Sequence, residues 1–82
     1  MTGGDNAMTL NACILIKTTP LRTDSVLKMT ENLKCVKKVF MAYGRYDLVA
    51  FVEASGYPEI RRVTGEINSV AGVRSTETLV EA

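Results

Sequence analysis

The sequence predicts an α+β fold, a single open four-stranded antiparallel sheet with two helices on one face. Three observations lead there. Two short runs, Ala12 to Ile16 and Leu48 to Val52, are continuously apolar, the pattern of strands covered on both faces. Two other segments carry apolar residues at helical spacing: Val26, Met29 and Leu33 in the first, Ile60, Val63, Ile67 and Val70 in the second. Glycine, proline and polar clusters divide the rest so that the order reads β-α-β-β-α-β.

A chain of 82 residues has room for one domain. Residues 1–9 hold Gly3, Gly4, Asp5 and Asn6 and nothing to bury, so they read as a disordered N-terminal tail ahead of a domain over residues 10–82. Met1 and Met8 both offer a natural start. Leu10 to Thr18 is the first strand, bounded by Thr18-Thr19-Pro20. Thr23 or Asp24 caps the helix that follows, and Asp24 suits the positive end of its dipole. Val26, Met29 and Leu33 form its buried stripe, with Lys28, Glu31, Asn32 and Lys34 on the wet side. Cys35 to Ala42 is a second strand, Tyr43-Gly44-Arg45 a turn in which Gly44 is free to take positive φ, and Tyr46 to Ala54 a third strand. After the loop Ser55-Gly56-Tyr57, Pro58 sits at a first helical position, followed by acidic Glu59. Gly72 ends the second helix and Val73 to Val80 is the last strand. These lengths suit the split βαβ, ferredoxin-like βαββαβ arrangement.

An antiparallel sheet with one wet face alternates apolar and polar residues. The first and third strands do not, and two helices cover only one face. The second face needs a cover, and the tail is too polar to supply it, so the expected cover is another copy of the chain, making a homodimer. Composition agrees: 46% of the residues are apolar, while a domain this small buries only about 60–65% of its surface. No apolar run approaches the ~20 residues of a membrane span. A net charge of +1 gives no bulk attraction to nucleic acid or anionic lipid, and Lys34, Lys37, Lys38, Arg61 and Arg62 read as solvated faces. Cys13 and Cys35 form no C-x-x-C pair and read as structural thiols in a reducing compartment. The polar segment Met1 to Met8 has no signal-peptide core, and a cytoplasmic location is expected.

Catalytic chemistry finds little support. The chain has no histidine, which removes the commonest general base and metal ligand. Two separated cysteines make no closed zinc site, and there is no phosphate-binding glycine loop or nucleophile elbow. No metal and no cofactor are expected. Phe40 and Phe51 lack the basic-aromatic signature of RNA-binding sheets and read as core packing. Among the carboxylates Asp47, Glu53, Glu66, Glu77 and Glu81, Asp47 stands out, beside the Gly44 turn and ahead of an apolar run. It has two readings. One is an acceptor that stabilises the turn. The other is an acceptor for the ammonium of a small ligand whose carboxylate meets the turn's N–H groups.

The run Gly44-Arg45-Tyr46-Asp47-Leu48-Val49, then Glu59-Ile60, then Ile67-Asn68-Ser69-Val70-Ala71-Gly72-Val73-Arg74-Ser75-Thr76-Glu77-Thr78, resembles the effector-binding domain of the Lrp/AsnC transcription regulators, also called the regulation-of-amino-acid-metabolism domain. The resemblance covers about residues 10 to 82. It implies the βαββαβ fold, dimerisation through the sheets, assembly of dimers into larger rings, and an amino acid or similar effector where dimers meet. Carried onto this sequence it singles out Gly44, Arg45, Tyr46 and Asp47, with Thr76 and Thr78 as weaker candidates that share one face of the last strand. Full-length regulators carry an N-terminal helix-turn-helix; here a polar tail precedes the first strand, so direct DNA binding is not carried over. Arg45 stands where the family often has a short polar or acidic residue; it can pair with Asp47 or meet a ligand carboxylate.

The expected function is therefore amino-acid sensing and oligomerisation, with co-assembly with a full-length Lrp/AsnC-type regulator as a further partner. The alternative is a purely structural oligomerisation domain with no ligand. An enzyme with Asp47 or Glu53 as base ranks behind both.

Overall fold

The computed structural model describes residues 9–81. The expected tail, residues 1–9, lies outside the described residues apart from Thr9. The elements are β1 (Leu10–Thr18), a short 3-10 turn (Pro20–Arg22), α1 (Thr23–Glu31), β2 (Val36–Met41), β3 (Leu48–Ala54), α2 (Tyr57–Asn68) and β4 (Val73–Val80). The strands form one antiparallel sheet in the order β2-β3-β1-β4. This is the ferredoxin-like βαββαβ arrangement, with β1 and β3 at the centre.

The period-2 pleat sorts the two central strands. Ala12, Ile14 and Ile16 of β1, and Leu48, Ala50, Val52 and Ala54 of β3, point to the helix side and are buried there with Val26, Ile60, Val63 and Ile67. Pairing of Leu15 with Val49 and of Cys13 with Phe51 sets the alternate residues side by side on the other face. Phe40 of β2 pairs with Val49, and Leu79 of β4 with Cys13. The open face is thus an apolar strip running across all four strands. Phe40 and Phe51 are not core residues, contrary to the expectation. They meet edge to face on this strip, ring centroids 5.6 Å apart, and remain 49% and 39% exposed.

Local details differ from the expectation for identifiable reasons. Met29 is 59% exposed, and Thr30 takes the buried position. On a 3.6-residue helix Val26, Thr30 and Leu33 lie in line, and Leu27 packs on the flank opposite Met29. The Thr30 hydroxyl is fully buried without a hydrogen-bond partner among the described residues, an arrangement that costs roughly 1–3 kcal/mol. Neither Thr23 nor Asp24 caps α1. The 3-10 turn begins at Pro20 instead, and no side chain among the described residues caps the helix that follows. Cys35 precedes β2 rather than starting it, in a left-handed conformation (φ 78°). Both cysteines are free.

The second helix starts on a carboxylate. Glu59 accepts from the Ser55 N–H (2.7 Å) and the Ser55 hydroxyl (3.1 Å) just ahead of the helix, a relative of the capping box. Those two bonds, the backbone one foremost, hold its pKa below the ordinary 4.5. The helix ends at Asn68, four residues before Gly72, and Gly72 serves the connection to β4 instead. Its carbonyl accepts from the Thr19 N–H at 2.8 Å, and its φ is +102°. A Cβ there would stand 2.5 Å from the Arg22 Cβ and 3.0 Å from a Val26 methyl. Gly72 therefore lets the α2–β4 connection seat against the start of α1.

Gly72→Ala meets both the left-handed backbone and this contact. It is expected to cost about 2–4 kcal/mol, read as a lower midpoint in urea with an unchanged m-value.

Candidate functional site

The segment between β2 and β3 is closed by Ala42 donating to the Asp47 carbonyl (2.8 Å) and tied to β1 by Asp47 donating to the Ile16 carbonyl (2.9 Å). Gly44, at φ +133°, makes the reversal possible. The N–H groups of Tyr43, Gly44, Arg45 and Tyr46 make no backbone hydrogen bond among the described residues.

Asp47 does more than serve its own turn. One carboxylate oxygen accepts from the backbone N–H of Thr18 at 2.8 Å and from the Thr18 hydroxyl at 3.2 Å. That hydroxyl also meets the Thr23 hydroxyl at 2.7 Å. The end of β1, the start of α1 and the β2–β3 turn thus share one polar knot around buried Thr18. The second carboxylate oxygen has no protein partner among the described residues. Asp47 also lines an open pocket of about 330 Å³ together with Leu21, Asp24, Met41 and Tyr43. Leu21 is 98% exposed and Tyr43 94%, so the pocket's apolar flanks are bare.

The other predicted residues do not all converge on that pocket. Gly44 and Arg45 stay exposed at the turn, and Arg45 makes no ion pair with Asp47. Tyr46 reaches across β1 on the open face and donates to Glu77 of β4 at 2.6 Å. Its phenol pKa is raised, first by that hydrogen bond, then by burial and the Glu77 charge, with Arg45 opposing. Thr76 and Thr78 face α2: Thr76 donates to the Asn68 side chain (3.1 Å), and Thr78 meets the Thr64 hydroxyl (3.3 Å). They line the helix side of β4, apart from the turn.

Sequence reasoning missed Leu21, Asp24, Met41 and Tyr43. The one signal for them was an isolated leucine in the polar stretch Thr18 to Asp24. Among the described residues no group of three or more His, Cys, Asp or Glu side chains gathers to hold a metal. Among the described residues no helix is long and apolar enough to cross a membrane.

Residues 11–81 match the family described as the Lrp/AsnC ligand binding domain. No curated protein matches the sequence. Among solved structures, the chain is similar to TTHA0845 from Thermus thermophilus, at 32% identity over 89% of this chain and 92% of that one, with a TM-score of 0.86. It is also similar to a hypothetical protein from Pyrococcus horikoshii, at 24% identity over 89% of each chain, with a TM-score of 0.80. Against E. coli AsnC the identity is 20%, over 99% of this chain and 56% of that one, with a TM-score of 0.85. The last two likenesses are of fold.

Asp47→Ala leaves the buried end of β1 without its acceptor, so a loss of about 1–3 kcal/mol is expected in denaturant titration without any ligand. Ultraviolet titration of Tyr46 should give a pKa above the ordinary 10.0, and Glu77→Ala should bring it down. With a raised folded-state pKa, the Tyr46–Glu77 contribution is fully present below the unfolded value and is lost as pH climbs through the folded one.

Proposed function

The chain belongs to the Lrp/AsnC ligand-binding-domain family, and from that premise we propose that it is an amino-acid-sensing and assembly module. The observation that carries the sensing part is the second oxygen of Asp47, which has no donor among the described residues, at a pocket with bare apolar flanks. In this reading that carboxylate, seconded by Asp24, receives the ammonium of a free amino acid. The uncommitted N–H groups of the Gly44 turn and the Arg45 guanidinium receive its carboxylate. Leu21, Met41 and Tyr43 lie against its side chain. No catalytic step is assigned to any residue.

The assembly part rests on the open sheet face. Cys13, Leu15, Val49, Phe51, Phe40 and Leu79 form one apolar surface whose natural cover is the same surface of a second copy, related by a two-fold axis. The bare Leu21 and Tyr43 side chains favour further association of dimers, and a full-length regulator of the same family is a further partner.

A purely structural module is the second reading. It is favoured by the Thr18–Asp47 knot, which gives Asp47 a task in the absence of ligand.

The two parts are tested separately. Light scattering is expected to show a dimer or larger, and Leu15→Glu, on the open face, to give a folded monomer. Ile14→Glu, on the buried side, is expected to prevent folding. A folded wild-type monomer would remove the assembly reading. In a thermal-shift panel of the common amino acids, a ligand at a hundred times its Kd adds about 2.7 kcal/mol, several degrees in Tm for a domain this small. No shift with any amino acid would leave the structural reading.

A further inference from the structure

A second open groove lies away from Asp47, between α2 and β4. It measures about 450 Å³, within the range of small-molecule sites. We propose that this groove is a second ligand site, for an apolar monocarboxylic acid.

Three independent features point to an occupant and to its chemistry. The first is Gly65, in the middle of α2. Glycine weakens a helix interior relative to alanine, and here a Cβ would meet nothing within 4 Å. Neither packing nor backbone conformation requires glycine at this position. Its effect is to bare the helix backbone where Gly65 lines the groove, which permits close approach of a bound group.

The second is charge. Among the described residues Arg61 is the one charged residue lining the groove. It has no ion-pair partner among the described residues, whereas Arg62 beside it pairs with Glu59. A planar guanidinium at the rim of an apolar pocket suits a carboxylate, which it can hold by two parallel bonds.

The third is the free edge of the sheet. Glu81 donates to Asn11 directly opposite it, and the β1–β4 register runs on from that pair. Alternation of the antiparallel ladder then leaves the N–H groups of Thr76, Thr78 and Val80 directed away from β1. Among the described residues β4 has no other strand neighbour. Thr78 and Val80 line the groove, so unpaired donors run along its border. The Thr64 and Thr78 hydroxyls, 3.3 Å apart, hold each other only loosely and are free to turn toward a ligand. Tyr57, Ile60 and Val80 supply apolar walls for the rest of the molecule.

The groove lies on the helix side of the sheet, opposite the face proposed to pair with a second copy. It shares no lining residue with the Asp47 pocket, so the two sites stand or fall separately. The test is an amide-resolved NMR titration of the full chain with hexanoate, phenylacetate and 3-phenylpropionate, and with phenylacetamide as the uncharged control. The expected result is a Kd on the order of 1 mM or tighter, with shifts concentrated at Gly65, Thr78 and Val80. Arg61→Gln should weaken binding at least tenfold. Gly65→Leu should fill the groove and abolish binding while keeping the fold, judged by an otherwise unchanged spectrum; Gly65→Ala provides the milder obstruction should the leucine variant not fold. The proposal is overturned if none of the three acids shifts those amides at about 10 mM, if phenylacetamide binds as well as phenylacetate, or if the Gly65 variants bind undiminished.

Discussion

The two strands at the centre of this sheet are apolar on both sides, and the described residues supply two α-helices to cover them. One face of β1 and β3 is closed by α1 and α2, with Ile14, Ile16, Leu48 and Val52 fully or nearly fully buried. The other carries Leu15, Val49 and Phe51, and no helix among the described residues lies above them. Burial of apolar area is worth roughly 25 cal/mol per Å², and a thin core leaves little stability in reserve. A surface of this kind is therefore a reservoir of free energy that a single chain does not use. In the proposed assembly a second copy would draw on that reservoir, and residues that look like core by composition would then become core.

Within the monomer, the element junctions are tied by short polar contacts in place of additional apolar bulk. Thr18 is the centre of one tie, joined to Asp47 through its N–H and hydroxyl and to Thr23 through its hydroxyl. Next to it, Thr19 holds the Gly72 carbonyl. Two successive residues at the end of β1 thus anchor both the β2–β3 turn and the α2–β4 connection. In so small a domain such ties position loops that packing alone would leave free.

Much of this architecture was legible in the sequence. The uninterrupted runs in β1 and β3 and the stripe of Ile60, Val63 and Ile67 stand out because each repeats one physical preference several times. What was hidden depended on single contacts. Nothing in the local pattern says that Thr30 displaces Met29 inward, since both fit a 3.6-residue stripe and only the tilt of α1 against the sheet decides. Gly72 reads as a helix stop, yet its role is set by Arg22, fifty positions away in sequence. The candidate site divides the same way. Asp47 was visible as an unusual acid ahead of an apolar run. Its neighbours Leu21 and Met41 were not, because chain topology brings them there. Thr76 and Thr78 were rightly placed on a common face, and only the fold shows that this face meets α2.

The order Tyr46-Asp47 has a geometric meaning. The two side chains make their bonds in different places, Asp47 to Thr18 beside its pocket, Tyr46 across β1 to Glu77 on the open face. A single planar peptide joins their α-carbons, about 3.8 Å apart. The acid at the pocket and the phenol on the open face are thus covalent neighbours, and no stretch of intervening chain separates the two surfaces.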